Sequence, residues 1–592
     1  MNTTTPLLDL TLPRTLDSWV RQFEHDKWRG AHVQGWLFEA VAARRAAEHR
    51  LAAAGVKAQF RSAYKPLVHY FLEEVDVSAL AEVTVTYPVH LQASPQRFLL
   101  EAYPLAAMLP GCKLEFLAGA DDLHYRLALA LKDGQRLQAR VHAPNRIHID
   151  HLNATLLSPT GWLRVTAGAG NAERIDAAQQ TDYEQVFKQV LSTVRQHPWP
   201  AQQPYFERLD IRVDMPGMEQ QLPVDHECIS SHEALHEDIY FSLLEVFQRH
   251  SGRADGDRRL QPGQIVPDVR VSNAEPRLRI ALNRFDVKAQ DLCAPVNPVA
   301  GQPLDLLDMA PHPDRISAEM SRLGGQRFAA LSRQGRPVEG LYQTGSQAPV
   351  LISGGQHANE TSGVVGALRA ARALKAAGNA HFALIALENP DGYALHRELC
   401  ATHPQHMHHA ARYSALGDDI EYREQPALYE RAAREQALAL SGARLHINLH
   451  GYPSHEWTRP LTGYVPRGFE LWTISKGFFL ILRHHPGWQA QGRALLEGVT
   501  EALRKVTGLP EYNTRQMALH ERHAGKLPFE VINGTACLQE ETTRPGAPVT
   551  LITEFPDETV DGERVRFAHA VQMQTVLAAV SAWQGLEKTG SE

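Results

Sequence analysis

The feature that most constrains this fold is the regular alternation of strand-like and helix-like segments after residue 304. Short apolar runs such as "APVLISGG" and "AHFALIALENP" alternate with segments of helical periodicity such as "SGVVGALRAARALKAAG". Parallel strands need a crossover connection, usually a helix, so this order is typical of a parallel sheet covered by helices. Residues 304–592 are therefore predicted to form an α/β domain with a mixed, largely parallel sheet flanked by helices, whose functional groups lie at strand ends.

The rest of the chain is predicted to form accessory domains, because 592 residues exceed what one hydrophobic core normally organises. Residues 1–170 are predicted to be helical at first, through "AHVQGWLFEAVAARRAAEHRLAAAG", and then β-rich, with a hairpin at Asp133-Gly134. Residues 171–303 are predicted to be an α+β domain that ends in a proline-rich boundary. Both N-terminal domains are candidates for shaping substrate access or for joining copies of the chain into a homo-oligomer.

Composition argues against two classes of partner. The formal charge is -7 and the pI is about 6.5, so no global basic field attracts nucleic acid or an anionic membrane. We see no secretory signal and no run of roughly 18 apolar residues, and we therefore expect a soluble cytoplasmic protein. The five cysteines are scattered without a C-x-x-C pair, which indicates neither a disulfide framework nor a thiolate zinc knuckle.

A histidine and a glutamate follow one of the predicted strands. In "VLISGGQHANETSG" the strand ends at Gly354-Gly355, and His357 and Glu360 stand three positions apart in the next turn. Side chains at this spacing can converge on one cation, with a third ligand from elsewhere and one position left for water, as catalytic zinc requires. In a chain with 30 histidines, however, an isolated His-x-x-Glu pair is a weak signal.

Three further segments strengthen the metal hypothesis. "ALENPDGYALHR" contains the turn signal N-P-D-G, and "LHINLHGYPSHEW" is an apolar strand that ends in His450. "VTLITEFPDE" is another apolar strand, with Glu554 at its end. Taken in order, these segments resemble the zinc carboxypeptidase family, in which H-x-x-E, N-P-D-G, a zinc histidine on a strand and a catalytic glutamate on a late strand follow one another.

The resemblance covers residues 304–583 and implies a zinc-dependent hydrolase of peptide or amide bonds with one zinc ion per chain. The implied zinc ligands are His357, Glu360 and His450. Glu554 is implied as the general base that takes a proton from zinc-activated water, and Arg412 as the group that stabilises the oxyanion. The rival candidates for the base are Glu540, Glu541 and Glu558.

One departure from the family pattern concerns the substrate. Family exopeptidases grip a C-terminal carboxylate with an asparagine and an arginine, whereas this chain has Glu421 and Tyr422 there and Arg423 one place late. We therefore predict that a free C-terminal carboxylate matters less than usual. The segment "HANET" is also similar to the H-G-N-E-T of the succinylglutamate desuccinylase and aspartoacylase group. A peptide is thus the expected substrate, and an acylated amino acid, cleaved by a deacylase, is the alternative.

A competing metal motif occurs earlier in the chain. "SSHEALHEDIYFSLLEVF" contains H-E-x-x-H, with His232 and His236 one helical turn apart, which is the zincin pattern. The metzincin extension is missing, because Ile239 and Ser242 stand where glycine and histidine are expected. We therefore predict a structural role for this helix and keep a zincin as the second alternative. The remaining histidine clusters, "HPQHMHH" and His484-His485, are predicted to lie at the surface.

Overall fold

The computed structural model describes residues 4–166, 174–254, 256–285, 302–424 and 427–589, so most of the predicted proline-rich boundary lies outside the described residues. The N-terminal part of the described chain contains three four-stranded sheets and two separate strand pairs. Its strands are β1 (Thr5–Thr11), β2 (His32–Leu37), β3 (Lys57–Ser62), β4 (Leu80–Tyr87), β5 (Lys113–Ala118), β6 (His124–Leu131), β7 (Arg136–His142), β8 (Asn145–Ile149), β9 (Thr155–Pro159), β10 (Gly161–Thr166), β11 (Ile175–Gln179), β12 (Arg208–Met215), β13 (Glu219–Gln221), β14 (Cys228–Ser230), β15 (Gln264–Val271) and β16 (Arg277–Asn283). Its helices are α1 (Thr15–Phe23), α2 (Val41–Ala53), α3 (Pro66–Glu73), α4 (Arg97–Glu101), α5 (Leu105–Met108), α6 (Asp182–Gln196) and α7 (Ser231–Ser251).

Two strand pairings cross the predicted division at residues 170 and 171. Strand β10 pairs with β11, and β1 pairs with β16, in both cases antiparallel. The prediction of a helix is wrong for the first half of the N-terminal segment, because β2 occupies it and α2 begins only at Val41. Strand β2 lies between β10 and β3, so both of its edges are hydrogen-bonded to neighbouring strands, and this long-range pairing replaces the helix that the local spacing predicted. The hairpin prediction is confirmed, since β6 and β7 pair around Gly134.

The C-terminal part of the chain, after residue 304, alternates strands and helices as predicted. Its strands are β17 (Gln326–Leu331), β18 (Pro337–Gln343), β19 (Val350–Gly354), β20 (Phe382–Ile385), β21 (Leu445–Pro453), β22 (Phe479–His484), β23 (Glu530–Ile532), β24 (Thr535–Glu541) and β25 (Val549–Glu558). Its helices are α8 (Pro313–Leu323), α9 (Ser362–Ala377), α10 (Pro390–Cys400), α11 (Arg431–Ser441), α12 (Gln489–Leu503), α13 (Leu509–Ala524) and α14 (Gly562–Thr589).

These nine strands form one mixed sheet in the order β17-β18-β20-β19-β21-β25-β22-β24-β23. The four central strands β20, β19, β21 and β25 are mutually parallel. Antiparallel pairing begins on one side at β18 and on the other at β22. The centre therefore matches the predicted parallel sheet, and its parallel strands end at one common edge.

Helices cover both faces of this sheet. On one face, α9, α12 and α14 bury apolar side chains against β19, β21 and β25, while α11 packs alanines against the other face. The fit between α9 and β21 is close: a Cβ atom added to Gly363 would lie 2.8 Å from the Leu449 carbonyl oxygen. Helix α9 is thereby fixed near the end of β21, and the turn that precedes α9 lies at that same edge.

The accessory part of the chain contacts this edge through α7. The Glu237 carboxylate accepts a hydrogen bond from His409 at 2.6 Å, and the Asp238 carboxylate accepts one from the Leu461 backbone N–H at 2.7 Å. The guanidinium of Arg459, which lies beyond β21, pairs with Glu245 at 2.9 Å. Within the described residues, no helix has both the length and the apolar composition needed to cross a membrane.

Candidate metal centre and active-site cavity

The turn after β19 brings His357 and Glu360 together. Gly355 has a φ of 64°, a left-handed conformation that favours glycine, and the chain turns sharply there toward α9. His357 Nδ1 lies 2.9 Å from Glu360 Oε1, and both side chains are buried. A tight turn between a central strand and its following helix thus aims an imidazole and a carboxylate at the same point.

The third predicted ligand joins them from the neighbouring strand. His450 lies on β21, which continues to Pro453 and does not end at His450 as predicted. Its Nδ1 is 3.0 Å from His357 Nδ1 and 3.0 Å from Glu360 Oε2. One donor atom from each of the three residues lies within 4.8 Å of the other two. We call this group the primary centre. Two imidazole lone pairs and a carboxylate directed at one point fit a divalent cation better than they fit one another.

Groups around the primary centre hold its donors in place. Asp419 Oδ2 lies 3.5 Å from His357 Nε2, and Asp419 itself accepts a hydrogen bond from Gln356 at 3.0 Å. A carboxylate on the second ring nitrogen commonly orients a metal-binding histidine. Burial by itself would raise the pKa of Glu360, but His357 and Arg412 outweigh it and hold that pKa well below its usual range. Glu360 is therefore an anion, as a carboxylate must be to bind a metal.

The predicted base Glu554 stands beside the primary centre. In the register of β21 and β25, Glu554 lies opposite His450, and its side chain borders the cavity in front of the donors. Burial, and then the nearby Glu360 carboxylate, raise the pKa of Glu554 well above its usual value. Glu554 is not at the end of its strand as predicted, because β25 continues to Glu558.

The rival glutamates do not share this position. Glu540 and Glu541 are exposed side chains on β24 and do not line the cavity. Glu558 is buried and accepts a hydrogen bond from Asn359 at 2.7 Å. Among these four glutamates, Glu554 alone borders the cavity.

Arg412 also reaches the primary centre, where its guanidinium pairs with the Glu360 carboxylate. The N-P-D-G segment supports it from behind. Instead of forming an isolated turn, this segment begins α10, with Asn389 as the N-cap and Pro390 in the first turn. The Asn389 side chain caps the Gly392 N–H at 2.9 Å and donates to the Tyr413 carbonyl at 3.1 Å. The motif therefore fixes the backbone that carries Arg412.

The cavity in front of the primary centre has an empty volume of about 1220 Å³, including its open mouth. Two arginines that the motifs did not point to lie on its wall. Arg258 comes from the accessory part of the chain and Arg544 from the loop between β24 and β25. Their guanidinium carbons lie 5.3 Å (Arg258) and 4.3 Å (Arg544) from the centroid of the Tyr422 ring. Among the described residues, the carboxylate oxygens that pair with them lie on Asp419, 3.9 Å from Arg258, and on Glu421, 3.8 Å from Arg544, so both ion pairs are long.

In the segment that departs from the family pattern, Arg423 and Glu421 both form ion pairs within the protein. Arg423 is fully buried, bonded to Asp418 at 2.6 Å and paired with Glu430, and it does not line the cavity. Glu421 lines the cavity and pairs with Arg434. Arg258 and Arg544 also line the cavity, and sequence reasoning missed them because they come from distant segments.

A buried lysine, Lys476, interacts electrostatically with Glu554. The Lys476 amine lies 4.5, 5.0 and 5.5 Å from the ring centroids of Tyr452, Trp472 and Phe479. It has no hydrogen-bond partner among the residues that the structure describes. Burial lowers the pKa of Lys476 to about 7, against the opposing effect of Glu554. Nothing in the sequence around Lys476 distinguishes it from a surface lysine.

The H-E-x-x-H helix does not form a metal site through its histidines. His232 Nδ1 lies 2.7 Å from Glu219, and its Nε2 lies 3.0 Å from the Met215 carbonyl oxygen. His236 packs against the His408 ring at 5.6 Å. Neither histidine belongs to a three-donor group within the described residues. These contacts agree with the structural role predicted for α7.

The prediction that the other histidine clusters lie at the surface is wrong for most of their members. His406, His408, His409 and His484 are all buried. His406 pairs with Glu219 at 3.0 Å, and His409 pairs with Glu237 at 2.6 Å. Carboxylates from β13 and α7 satisfy these rings, which explains how a polar segment is accommodated inside the protein.

Comparisons with known proteins give matches only at the level of structure. No protein-family model matches the chain, and no curated protein matches it. A solved metallo-carboxypeptidase from Burkholderia cenocepacia is similar, with 14% identity, 53% of this chain and 76% of that chain covered, and a TM-score of 0.29. Bovine thrombin-activatable fibrinolysis inhibitor, in complex with tick carboxypeptidase inhibitor, is similar at 10% identity, with 45% and 94% covered and a TM-score of 0.26.

A succinylglutamate desuccinylase/aspartoacylase from Rhodobacter sphaeroides is also similar, at 15% identity, with 43% of this chain and 65% of that chain covered and a TM-score of 0.25. Both groups that the motifs resemble are therefore present among the similar solved structures. At TM-scores of this size, the activity has to be argued from the site itself.

Proposed function

We propose that this protein is a zinc-dependent, carboxypeptidase-like hydrolase of peptide or amide bonds. One observation carries the proposal: two imidazole nitrogens and a carboxylate converge at the wall of an open cavity that Glu554 and Arg412 also border. His357, Glu360 and His450 would hold the zinc ion. When bound, zinc supplies a Lewis acid that polarises the substrate carbonyl and lowers the pKa of a bound water.

Glu554 is proposed as the general base and then the general acid. Its carboxylate borders the cavity beside His450, where it can accept a proton from the attacking water and return it to the departing nitrogen. A carboxylate kept out of bulk water by burial is not solvated by competing hydrogen bonds. The position of Glu554 thus suits proton transfer, whereas the exposed Glu540 and Glu541 do not.

Arg412 is proposed to stabilise the negative charge that develops on the carbonyl oxygen. Its guanidinium is already placed at the primary centre by its pairing with Glu360. Because a guanidinium has five donors, one N–H can stay on Glu360 while another faces the oxyanion. The Asn389 contacts to this loop hold Arg412 in place before the substrate arrives.

The substrate is proposed to carry a carboxylate. From the sequence, Glu421 and Tyr422 predict weak recognition of such a group. However, the guanidinium groups of Arg258 and Arg544 lie 5.3 and 4.3 Å from the Tyr422 ring centroid. Their ion pairs with Asp419 and Glu421 are long, at 3.9 and 3.8 Å. A planar guanidinium binds a carboxylate in a bidentate manner. We therefore propose that this pair, and not Arg423, receives the carboxylate of a C-terminal residue.

The test is a panel of matched substrates assayed with the zinc-loaded protein. It comprises peptides with free C-termini, the same peptides amidated, and N-acyl amino acids. We expect hydrolysis of the free peptides and a loss of roughly 10- to 100-fold in kcat/KM on amidation, the effect of removing a charged hydrogen bond. The Glu554→Gln protein, purified in parallel, controls for contaminating peptidases.

Each other outcome of the panel has a definite meaning. Turnover confined to N-acyl amino acids would identify the deacylase alternative. Equal rates on free and amidated peptides would show that Arg258 and Arg544 do not bind the C-terminal carboxylate of the substrate. Absence of hydrolysis across the whole panel by protein shown to contain zinc would overturn the proposed function.

A further inference from the structure

A second group of metal-binding side chains lies where the accessory part of the chain meets the central sheet. Cys228 begins β14, Glu233 lies in the first turn of α7, and His455 follows the end of β21. One donor atom from each of the three lies within 4.8 Å of the other two. We call this group the junction cluster. It shares no residue with the primary centre.

The geometry of the junction cluster differs from that of a Cys-His-acid catalytic triad. In a triad, the imidazole lies between the nucleophile and the acid, which occupy opposite ring nitrogens. Here both Glu233 oxygens lie 2.9 Å from His455 Nε2. The sulfur and a Glu233 oxygen also approach each other within 4.8 Å. The donors therefore crowd around a common point, as ligands of one ion do.

The surroundings fix the donors as ligands of a metal site are usually fixed. His455 Nδ1 lies 3.1 Å from the Thr559 hydroxyl, so the second ring nitrogen has an oxygen partner that sets the orientation of the ring. The Ser230 hydroxyl caps α7 by accepting from the Glu233 N–H at 2.9 Å. Ser230 also belongs to β14, whose first residue is Cys228. Two of the donors thus stand on one rigid strand-to-helix junction.

Charge and burial agree with a divalent cation of zinc type. A thiolate, a carboxylate and a neutral imidazole carry two negative charges, which one divalent ion neutralises. Glu233 is 4% exposed and His455 is 1% exposed, so uncompensated charge there would be costly. Cys228 is partly exposed. Soft thiolate with imidazole is a donor set that favours zinc over magnesium or calcium.

We propose that Cys228, Glu233 and His455 bind a second zinc ion, which ties the accessory part of the chain to the loop after β21. The inference does not depend on the proposed hydrolase activity, because it concerns donors outside the catalytic cavity. It also assigns a use to the glutamate of H-E-x-x-H, although the two histidines of that motif are engaged elsewhere.

Elemental analysis of the full-length protein, dialysed against zinc buffered at low free concentration, tests the proposal. We expect two zinc ions per chain in the wild type and one in Cys228→Ser and in His455→Ala. The Cys112→Ser variant, which changes another partly exposed cysteine, should retain two. The His357→Ala variant should lose the other ion, so failure of one site is distinguishable from failure of the other.

A spectroscopic measurement tests the proposal on the wild-type protein as well as on variants. Cobalt(II) substituted for zinc gives a sulfur-to-metal charge-transfer band only where a thiolate is a ligand, and the primary centre has none. We expect this band in the cobalt-loaded wild type and in His357→Ala, and its loss in Cys228→Ser. One zinc per chain in the wild type, with no thiolate band on cobalt loading, would overturn the proposal.

Discussion

The primary centre and the junction cluster use similar chemistry but are assembled in opposite ways. The primary centre takes His357 and Glu360 from the turn after β19 and His450 from the neighbouring parallel strand β21, where the topology of the sheet brings these segments together. The junction cluster joins Glu233 to His455, 222 residues further along the chain. Local sequence motifs therefore indicate the primary centre. The ligands of the junction cluster, by contrast, are single residues far apart in the sequence, and no local motif indicates them.

Replacing His450 and His455 one at a time tests this comparison most directly, because both histidines lie on or just after β21. His450→Ala should lower kcat/KM by at least about 10³-fold, since Lewis-acid activation contributes several kcal/mol. His455→Ala should cost far less activity while still losing one zinc ion. Steady-state kinetics together with elemental analysis measure both effects, and equal loss of activity in the two variants would show that the junction cluster takes part in catalysis.

Glu554→Gln separates catalysis from metal binding at the primary centre. We expect kcat to fall by roughly 10² to 10⁴-fold, because an amide cannot accept the proton. The zinc content and the circular dichroism spectrum should stay unchanged. Glu540→Gln, at an exposed site on β24, is the matched control and should behave as the wild type. Full activity in Glu554→Gln would assign the base to another residue.

Arg544→Ala tests substrate binding in the cavity that is lined by residues of the primary centre and by none of the junction cluster. We expect KM for peptides with a free C-terminus to rise about 10- to 100-fold, because a charged hydrogen bond to the substrate is lost. Amidated peptides lack the carboxylate, so their KM should change little. Arg504→Ala, which removes an exposed arginine paired with Glu501, serves as the control. An equal rise for both kinds of peptide would mean that Arg544 shapes the cavity without binding the carboxylate.

The smallest change in metal content is expected for His232→Ala, next to a junction ligand. His232 bonds to Glu219 and to the Met215 carbonyl oxygen, so its removal should leave both zinc ions bound. Glu233→Gln, one residue later, should lose one ion. The free energy of unfolding should fall by about 1–3 kcal/mol in His232→Ala, because the carbonyl oxygen of the buried residue Met215 loses its hydrogen-bond partner. Loss of zinc from His232→Ala would return the H-E-x-x-H histidines to consideration as ligands.

Local patterns were sufficient for much of the C-terminal part. The apolar runs of β19, β20 and β21 and the helical period of α9 predicted the parallel centre of the sheet. The identity and position of the strand-end residues predicted which side chains meet at the primary centre. These features are local in sequence. In a parallel sheet, strands that are close in sequence usually become neighbours, so the residues that follow them lie close together in space.

Features set by long-range packing were not predictable in the same way. Strand β2 was predicted as a helix, because its partners β10 and β3 come from distant segments. The histidines of "HPQHMHH" were predicted at the surface, whereas His406 and His409 are buried against Glu219 and Glu237. Long-range packing also determines the positions of Arg258, Arg544 and the junction cluster. In each case, the partner that decides burial or function lies far away in the chain.

The pairing of β1 with β16 has a consequence for how the protein is made. Asp9 on β1 and Arg277 on β16 form an ion pair across 268 residues. At ribosomal rates of about 5–20 residues per second, β1 waits roughly 13 to 54 s before β16 has been synthesised. During that interval its edge is unpaired, and unpaired strand edges favour association with other chains. Production of this protein should therefore depend on chaperones that shield nascent chains.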